Sequence, residues 1–280
     1  MNEQPIGWRI KGLQVLRVEK DGGEVQSHRL SVLQEQMHLP HRGASLDLLA
    51  FSDYRVQDIE RLVKFIKKQK RRPHLILYAG DDVDRFRPPN RNLFEEMAGC
   101  SQYGLCAVAG NDDHPAVRDY IIGERVYPVH SQALVLGAFA VVGVEGAPLF
   151  PAGFGSNMNL GPLLYPEPVL RRHLRKCAVF ANKKLIIVSH APPFGVLDLA
   201  ARFGVRHIGS RPLRDFLESS KNIILCVGGH VHRCGGQQER FGTCTVVNVA
   251  SHDRPGDPGR VAHIELRRGK VAAVNWHQLK

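Results

Sequence analysis

Three features of this sequence predict an α/β fold. From Leu46 onward, short apolar runs of strand length alternate with stretches of helical periodicity. Clusters of Gly, Pro and Asp punctuate these segments at their ends. A chain of 280 residues with a hydrophobic fraction of 43% suffices for one large domain that needs no covalent staples. The charged fraction of 23% is ordinary for a globular protein and argues against disordered or fibrous classes.

Residues 6–33 read as short strands around Asp21-Gly22-Gly23, a hairpin-type turn, and residues 34–46 as irregular. Leu46-Asp47-Leu48-Leu49-Ala50-Phe51 is a buried strand ending at Ser52-Asp53. The spacing of Ile59, Leu62, Val63 and Ile66 predicts a helix over Val56 to Lys70. Leu75 to Tyr78 is a second buried strand, ending at Gly80-Asp81; a helix follows over Asn92 to Ala98. Ala107-Val108-Ala109 closes a third strand just before Gly110-Asn111, and a strand pair spans about Ala133 to Val144.

Gly146 to Pro168 is rich in Gly and Pro and reads as a long loop, the best candidate for a substrate-selecting element. Val169 to Phe180 is helical, and Leu185 to Val188 is a strand ending at Ser189-His190. Helices are expected near Val196–Phe203 and Pro212–Ser219, then a strand Ile223–Val227 ending at Gly229-His230. The tail alternates as strands over Thr243–Val249, Val261–Leu266 and Val271–Trp276. There is no internal repeat.

No stretch reaches the roughly 20 apolar residues of a membrane-spanning helix, and Met1 to Leu13 lacks the apolar core of a secretory signal. The six cysteines form no C-x-x-C pair and lie mostly in apolar runs, which reads as free buried thiols and, by default, a cytoplasmic location. The net charge of +11 favours anionic partners. Its densest run, Lys67-Lys68-Gln69-Lys70-Arg71-Arg72, sits where cations complement a helix dipole, so a solvated helix end competes with a nucleic-acid patch.

Five strands each end in residues able to bind metal: Asp53, Asp81, Asn111, His190, and the pair His230/His232. Ligands of open α/β sheets bind beyond the carboxyl ends of the strands, so these endings can converge on one rim. Each ending alone is weak, because Asp and His are common turn formers; five together are not.

The run Asp53-x-Arg55, Gly80-Asp81-x-x-Asp84, Gly110-Asn111-Asp112-Asp113, Ser189-His190 and Gly229-His230-Val231-His232 resembles the calcineurin-like metallophosphoesterase superfamily. The pattern there is D-x-H, G-D-x-x-D, G-N-H-D/E, a lone His after a strand, then G-H-x-H, and the match covers about residues 46 to 250. The resemblance implies a four-layer α/β/β/α sandwich with two mixed sheets. It also implies that residues 46–280 form the metallophosphoesterase domain and residues 1–45 a β-hairpin extension. Carried over residue by residue, one metal would see Asp53, Asp81 and His232, and the other Asp81, Asn111, His190 and His230. Oxygen ligands with imidazoles suit Mn, Fe, Zn or Ni, with Mn the leading choice. Such a pair, ~3.5–4 Å apart, holds a bridging hydroxide and clamps the phosphoryl oxygens.

Two residues depart from the pattern. Arg55 stands where the family has a His ligand, and a guanidinium has no lone pair to give. The site of Asp53 and His232 is then short of a ligand and is weak, filled only with substrate, or empty. Arg55 itself could pair with Asp53, contact a substrate phosphate, or stand exposed. Asp112 replaces the His that commonly protonates the leaving group, a task a carboxylic acid performs only where burial or like charge raises its pKa. His114 could substitute, or be a solvated loop residue, with water as the proton source. Asp84 is expected to orient a neighbouring ligand, and Asp113 to act as a cap.

The leading expectation is a metal-dependent hydrolase of a soluble phosphomonoester or phosphodiester. Two alternatives remain open: a nuclease or nucleic-acid phosphatase, supported only by the charge of +11, and a non-catalytic member that binds a ligand or partner. A homodimer is compatible with the sequence.

Overall fold

The computed structural model describes residues 7–11, 14–18, 35–130, 132–150, 161–201, 205–254 and 256–279. β1 (Gly7–Lys11) and β2 (Gln14–Val18) form an antiparallel hairpin, and β1 also pairs with β3 (Glu35–Leu39). Next come β4 (Leu46–Phe51), α1 (Val56–Lys67), β5 (Leu75–Tyr78), α2 (Leu93–Ala98), β6 (Leu105–Ala107) and β7 (Val126–Pro128). The hairpin β8 (Gln132–Leu136) and β9 (Phe139–Val144) precedes a short parallel pair, β10 (Ala147–Pro148) and β11 (Leu164–Tyr165). α3 (Glu167–Cys177) leads to β12 (Lys184–Ser189), and the two-residue strands β13 (Leu199–Ala200) and β14 (Arg206–His207) pair before α4 (Arg211–Ser219). The chain closes with β15 (Ile223–Gly228), β16 (Gln237–Phe241), β17 (Cys244–Asn248), β18 (Gly259–Arg267) and β19 (Lys270–Leu279).

Two mixed sheets carry the fold. One has the order β19-β18-β4-β5-β6-β7 and the other β16-β17-β15-β12-β9-β8-β3-β1-β2. Three hydrophobic cores define four layers. Between the sheets, Leu48, Leu77, Val108, Leu134, Ile186 and Val227 meet. The outer face of the first sheet packs on α1 and α2 through Phe51, Tyr78, Ile59, Leu62, Ile66 and Phe94. The outer face of the second packs on α3 and α4 through Val142, Ile187, Leu170, Leu174, Leu213 and Leu217. Strands buried on both faces need continuous apolar runs, which is why LDLLAF, LILY and IILCVG are so legible. Each fully buried Leu or Ile here contributes roughly 1.5–3 kcal/mol.

The helices begin where their caps dictate. Asn92 accepts from the Glu95 amide at 3.3 Å and Ser210 from the Leu213 amide at 3.2 Å. The basic run after α1 is partly consumed within the protein: Lys67 pairs with Glu96 at 2.7 Å and Arg71 with buried Asp47 at 3.2 Å. All six cysteines are free thiols, five of them buried. Among the described residues no helix is long and apolar enough to cross a membrane.

The structure corrects the reading in three places. Residues 35–39, expected to be irregular, form β3, which joins the β1–β2 hairpin to β8. No helix forms from Val196 to Ala200; the side chain of Asp198 accepts from the Gly195 and Gly209 amides at 2.9 and 3.0 Å and meets His207 Nδ1 at 2.6 Å. Leu197 there takes φ of 52°, which no α-helix contains. β16 carries no strand signal in the sequence because its residues, QQERF, are mostly exposed and polar on a sheet edge. The turn expected at Asp21-Gly22-Gly23 and residues 151–160 of the expected loop lie outside the described residues.

One half-buried histidine pair gives the fold a pH dependence. The His130 ring stacks on His173 at 4.3 Å, and His130 Nδ1 accepts from the Glu145 amide at 3.2 Å. Burial pushes the His130 pKa down to about 3, with nearby His173, Arg118 and Lys176 acting in the same direction. The folded value lies below the ordinary value of about 6.5, so the unfolded chain takes up the proton first. This contribution is complete above pH ~6.5 and is lost as pH falls toward the folded value. The urea midpoint is therefore expected to fall between pH 7 and pH 5, with a shallower fall in His130→Phe. An equally steep fall in the variant would remove His130 from the account.

Candidate metal centre

Five loops, each leaving the carboxyl end of a strand, meet where the two sheets adjoin. β4, β5 and β6 of one sheet deliver Asp53, Asp81 and Asn111, and β12 and β15 of the other deliver His190, His230 and His232. The rim expected from the sequence is thus shared between two sheets. Asp53, Asp81 and His230 have φ of 57°, 65° and 64°, a left-handed conformation that non-glycine residues rarely adopt. Three such residues among six candidate ligands mark a constellation held by its surroundings, as at functional sites.

The glycines before the ligands permit the approach. A Cβ on Gly110 would fall on the Asp81 carboxylate, and one on Gly229 would meet Ser52 and Asp53. The G-D, G-N and G-H pairs are therefore steric requirements, each glycine leaving room for a ligand from a neighbouring loop.

One donor atom each of Asp53, Asp81 and His190 lies within 4.8 Å of the others. His190 is fully buried; its Nδ1 meets the Ala79 carbonyl at 2.8 Å, while Nε2 faces Asn111 Oδ1 at 2.9 Å and Asp81 Oδ2 at 3.4 Å. With its proton on Nδ1, the imidazole presents its Nε2 lone pair to the centre. The His230 ring packs edge-on against His190 with centroids 5.0 Å apart. On the other side His232 Nε2 is 3.2 Å from Asp53 Oδ1, and His232 Nδ1 is 3.3 Å from the His252 carbonyl. Asp53, Asp81 and His190 thus form one cluster, with Asn111 and His230 against His190 and His232 against Asp53.

The acids and imidazoles of this cluster shift one another strongly. Burial, together with Asp53, Asp112 and Asp113, holds the Asp81 pKa well above the usual carboxylate range. Burial opposes ionisation of Asp53 as well, but the charge of His232 overrides it and brings Asp53 down to about 2. His232 moves the other way: burial lowers it, Asp53 more than compensates, and the imidazole rises to about 9. Burial and the neighbouring His190 push His230 down to about 3, leaving a neutral donor. Asp53 Oδ1 is buried against the His232 imidazole. Buried carboxylates crowded together are costly without a compensating charge, so the cluster of Asp53, Asp81 and His190 donors fits a divalent cation.

The remaining candidates fall elsewhere. Arg55 does not pair with Asp53; its Nη2 donates to the carbonyls of His252 and Arg254 at 3.2 and 3.3 Å. It thus braces the same carbonyl that orients His232. Asp112 is exposed beside the centre, its Oδ1 accepting from Asn111 Nδ2 at 2.6 Å, and its amide donates to Asp81 Oδ1 at 3.1 Å. His114 is exposed and caps the turn Pro115–Tyr120, accepting from the Ala116 amide at 3.2 Å. Asp84 is exposed, whereas buried Asp113 ties the second and third loops by accepting from the Gly110 and Val83 amides at 2.7 and 2.9 Å.

Sequence reasoning missed four supports. Ser52 donates to Asp53, and Tyr78 donates to the Asp81 carbonyl. Asn248, fully buried, donates to the carbonyls of Gly229 and Val231 at 3.3 and 3.2 Å and fixes the loop that carries both terminal histidines. His252 contributes its carbonyl to His232 and Arg55. A signal existed for Asn248, which closes an apolar strand as the ligands do.

The family model for calcineurin-like phosphoesterases matches residues 38–234, which include every residue of the centre. No curated protein matches the chain. Among solved structures, TT1561 of Thermus thermophilus has a TM-score of 0.61 at 18% identity, covering 84% of this chain and 99% of that one. Another gives 0.61 at 19% identity, with 84% and 100% covered. A Staphylococcus aureus structure in complex with alpha-ketoglutarate gives 0.50 at 13% identity, and this chain spans 54% of it. At such identities the likeness shows the fold alone. The family match spans well over half of the sequence, and the chain belongs to the calcineurin-like phosphoesterase family.

Proposed function

We propose that this protein hydrolyses a phosphomonoester or phosphodiester with two divalent metal ions. One would be held by Asn111, His190 and His230, the other by Asp53 and His232, with Asp81 serving both. The observation that carries this reading is the convergence of buried Asp53, Asp81 and His190, whose donor atoms lie within 4.8 Å of one another. Carboxylate, amide oxygen and imidazole together suit Mn, Fe, Zn or Ni, with Mn favoured. When bound, such ions supply Lewis acidity that polarises phosphoryl oxygens and acidifies water.

The chain's own residues divide the remaining work. His190 and His232 are oriented through their Nδ1 atoms by the Ala79 and His252 carbonyls, which turns each Nε2 inward, and His232 would give up its Nε2 proton on ligating. Arg55 brings no ligand and instead steadies the His252–Arg254 segment, so the Asn111 half-site is the better furnished. A cavity of about 950 Å³ is lined by Asp53 and His232 together with Arg55, Arg233 and Arg254, cations that can meet an anionic substrate, and with Asp82 and Asp253. Asp112 is exposed next to Asn111 and His114 Nδ1 caps a turn, so in this reading water protonates the leaving group. In this reading residues 46–280 form the phosphoesterase domain and residues 1–45 an N-terminal β-hairpin extension, whose described strands β1, β2 and β3 join the larger sheet.

Nucleic acid is a weaker substrate class, because Lys67 and Arg71 of the densest basic run already pair with Glu96 and Asp47. The test is hydrolysis of p-nitrophenyl phosphate and bis(p-nitrophenyl) phosphate with added Mn²⁺. Turnover of one ester over the other assigns monoesterase or diesterase. No turnover of either by metal-loaded protein would contradict the proposal and favour a binding role.

A further inference from the structure

The cavity of about 950 Å³ that Asp53 and His232 share has far more room than one phosphoryl group fills, and its size suits a whole small molecule. Ala200, Ala201 and Val231 give it some small apolar surface; the rest of its wall is polar or charged.

The charges of that wall do not cancel. Asp82 is already answered by Arg85, whose Nη2 lies 3.0 Å from its Oδ1. Asp253 has Arg254 beside it, with Nε 3.8 Å from the carboxylate. Two cations are then left over. Arg55 spends its Nη2 on the carbonyls of His252 and Arg254, which are neutral acceptors, and forms no ion pair among the described residues. Arg233 follows the candidate ligand His232, is exposed, and meets no side-chain acceptor among the described residues.

These two guanidiniums stay protonated at any working pH and match carboxylate and phosphate oxygens alike. They reach one cavity from loops that leave different sheets, Arg55 after β4 and Arg233 after β15. The reacting phosphoryl group already has its place at the metal ligands, so the leftover cations await a different anion.

We propose that the substrate carries a second anionic group, a carboxylate or a further phosphate in its leaving portion, which Arg55 and Arg233 bind while the ester sits at the metal centre. This proposal rests on the phosphoesterase reading and narrows its substrate class.

The experiment is calorimetric titration of the full chain, loaded with Mn²⁺ and freed of excess metal, with metal content checked after each run. The ligands are phosphonoacetate, methylenediphosphonate and the neutral-ended phosphonoacetamide, with homologues of each one and two methylenes longer. At one length or more, an anionic end is expected to bind about tenfold or more tightly than the carboxamide. The carboxylate and diphosphonate arms show which anion is preferred. Arg233→Gln, at an exposed position that spares the fold, is expected to cut that preference severalfold. Adding Arg55→Gln is expected to bring it near one. Arg172→Gln removes an equal charge from exposed α3, outside the cavity, and is expected to leave the preference unchanged.

Equal binding of anionic and neutral ends at every length would overturn the proposal. So would a preference that survives in the double variant, or one that falls as far in Arg172→Gln. A loss in Arg233→Gln shared equally by the carboxamide would also overturn it, since the guanidinium would then be meeting the reacting group. Nitrophenyl ester hydrolysis by the same preparation separates the failures. Turnover without any preference sinks this proposal alone. Preference without turnover would overturn the hydrolysis and leave the anion site standing.

Discussion

Asp81→Asn is expected to lower kcat/KM for phosphoester hydrolysis by about 10³-fold or more, a loss on the order of 4 kcal/mol of transition-state stabilisation. Asp81 is the ligand assigned to both half-sites, and an amide neither bridges two cations nor neutralises their charge. The same substitution is expected to leave the thermal midpoint of the metal-free protein unchanged or higher. Burial, Asp53, Asp112 and Asp113 already disfavour the Asp81 carboxylate, so a neutral isostere removes a repulsion and not an attraction. Melting curves in EDTA and steady-state rates with Mn²⁺ read the two effects separately. A variant that loses activity by unfolding would contradict this account of the Asp81 environment.

Gly110→Ala is expected to have a comparable effect on activity for a steric reason. The added Cβ would occupy the space of the Asp81 carboxylate and approach the Asp81 amide. Backbone cannot yield cheaply there, because Asp113 clamps the Gly110 amide at 2.7 Å and Asp81 is already in the left-handed region. Overpacking of this kind costs about 1–3 kcal/mol, so the urea midpoint is expected to fall together with metal content. Asp81→Asn loses metal without that fall, and the pair of variants separates ligation from packing. Metal content at the wild-type level in Gly110→Ala would show that the loops are not interlocked as described.

Much of this site was legible in the sequence because its strands are buried on both faces. Each then reads as a short apolar run, and the first polar residues after it are conspicuous: Asp53 after LDLLAF, Asp81 after LILY, His230 after IILCVG. What stayed hidden acts through backbone atoms of distant segments. The Arg55 guanidinium reaches carbonyls 197 and 199 residues away, and no local pattern announces such a partner. His252 works through its carbonyl, to which its side-chain type is irrelevant. The segment after Pro193 carried apolar residues at helix-like spacing, yet buried Asp198 captured the Gly195 and Gly209 amides and folded it into a turn. The arginines of the cavity follow β4, β15 and β17, and only the tertiary fold brings these together.

The central claim is that Asp53, Asp81, Asn111, His190, His230 and His232 form one metal centre. Anomalous diffraction at the manganese edge, from crystals grown with Mn²⁺, tests it most directly. The account predicts a peak between Asp81 and the trio Asn111, His190 and His230 at low Mn²⁺, and a second between Asp81, Asp53 and His232 as the concentration rises. Crystals that show manganese elsewhere on the protein, with no peak beside Asp81, would contradict it.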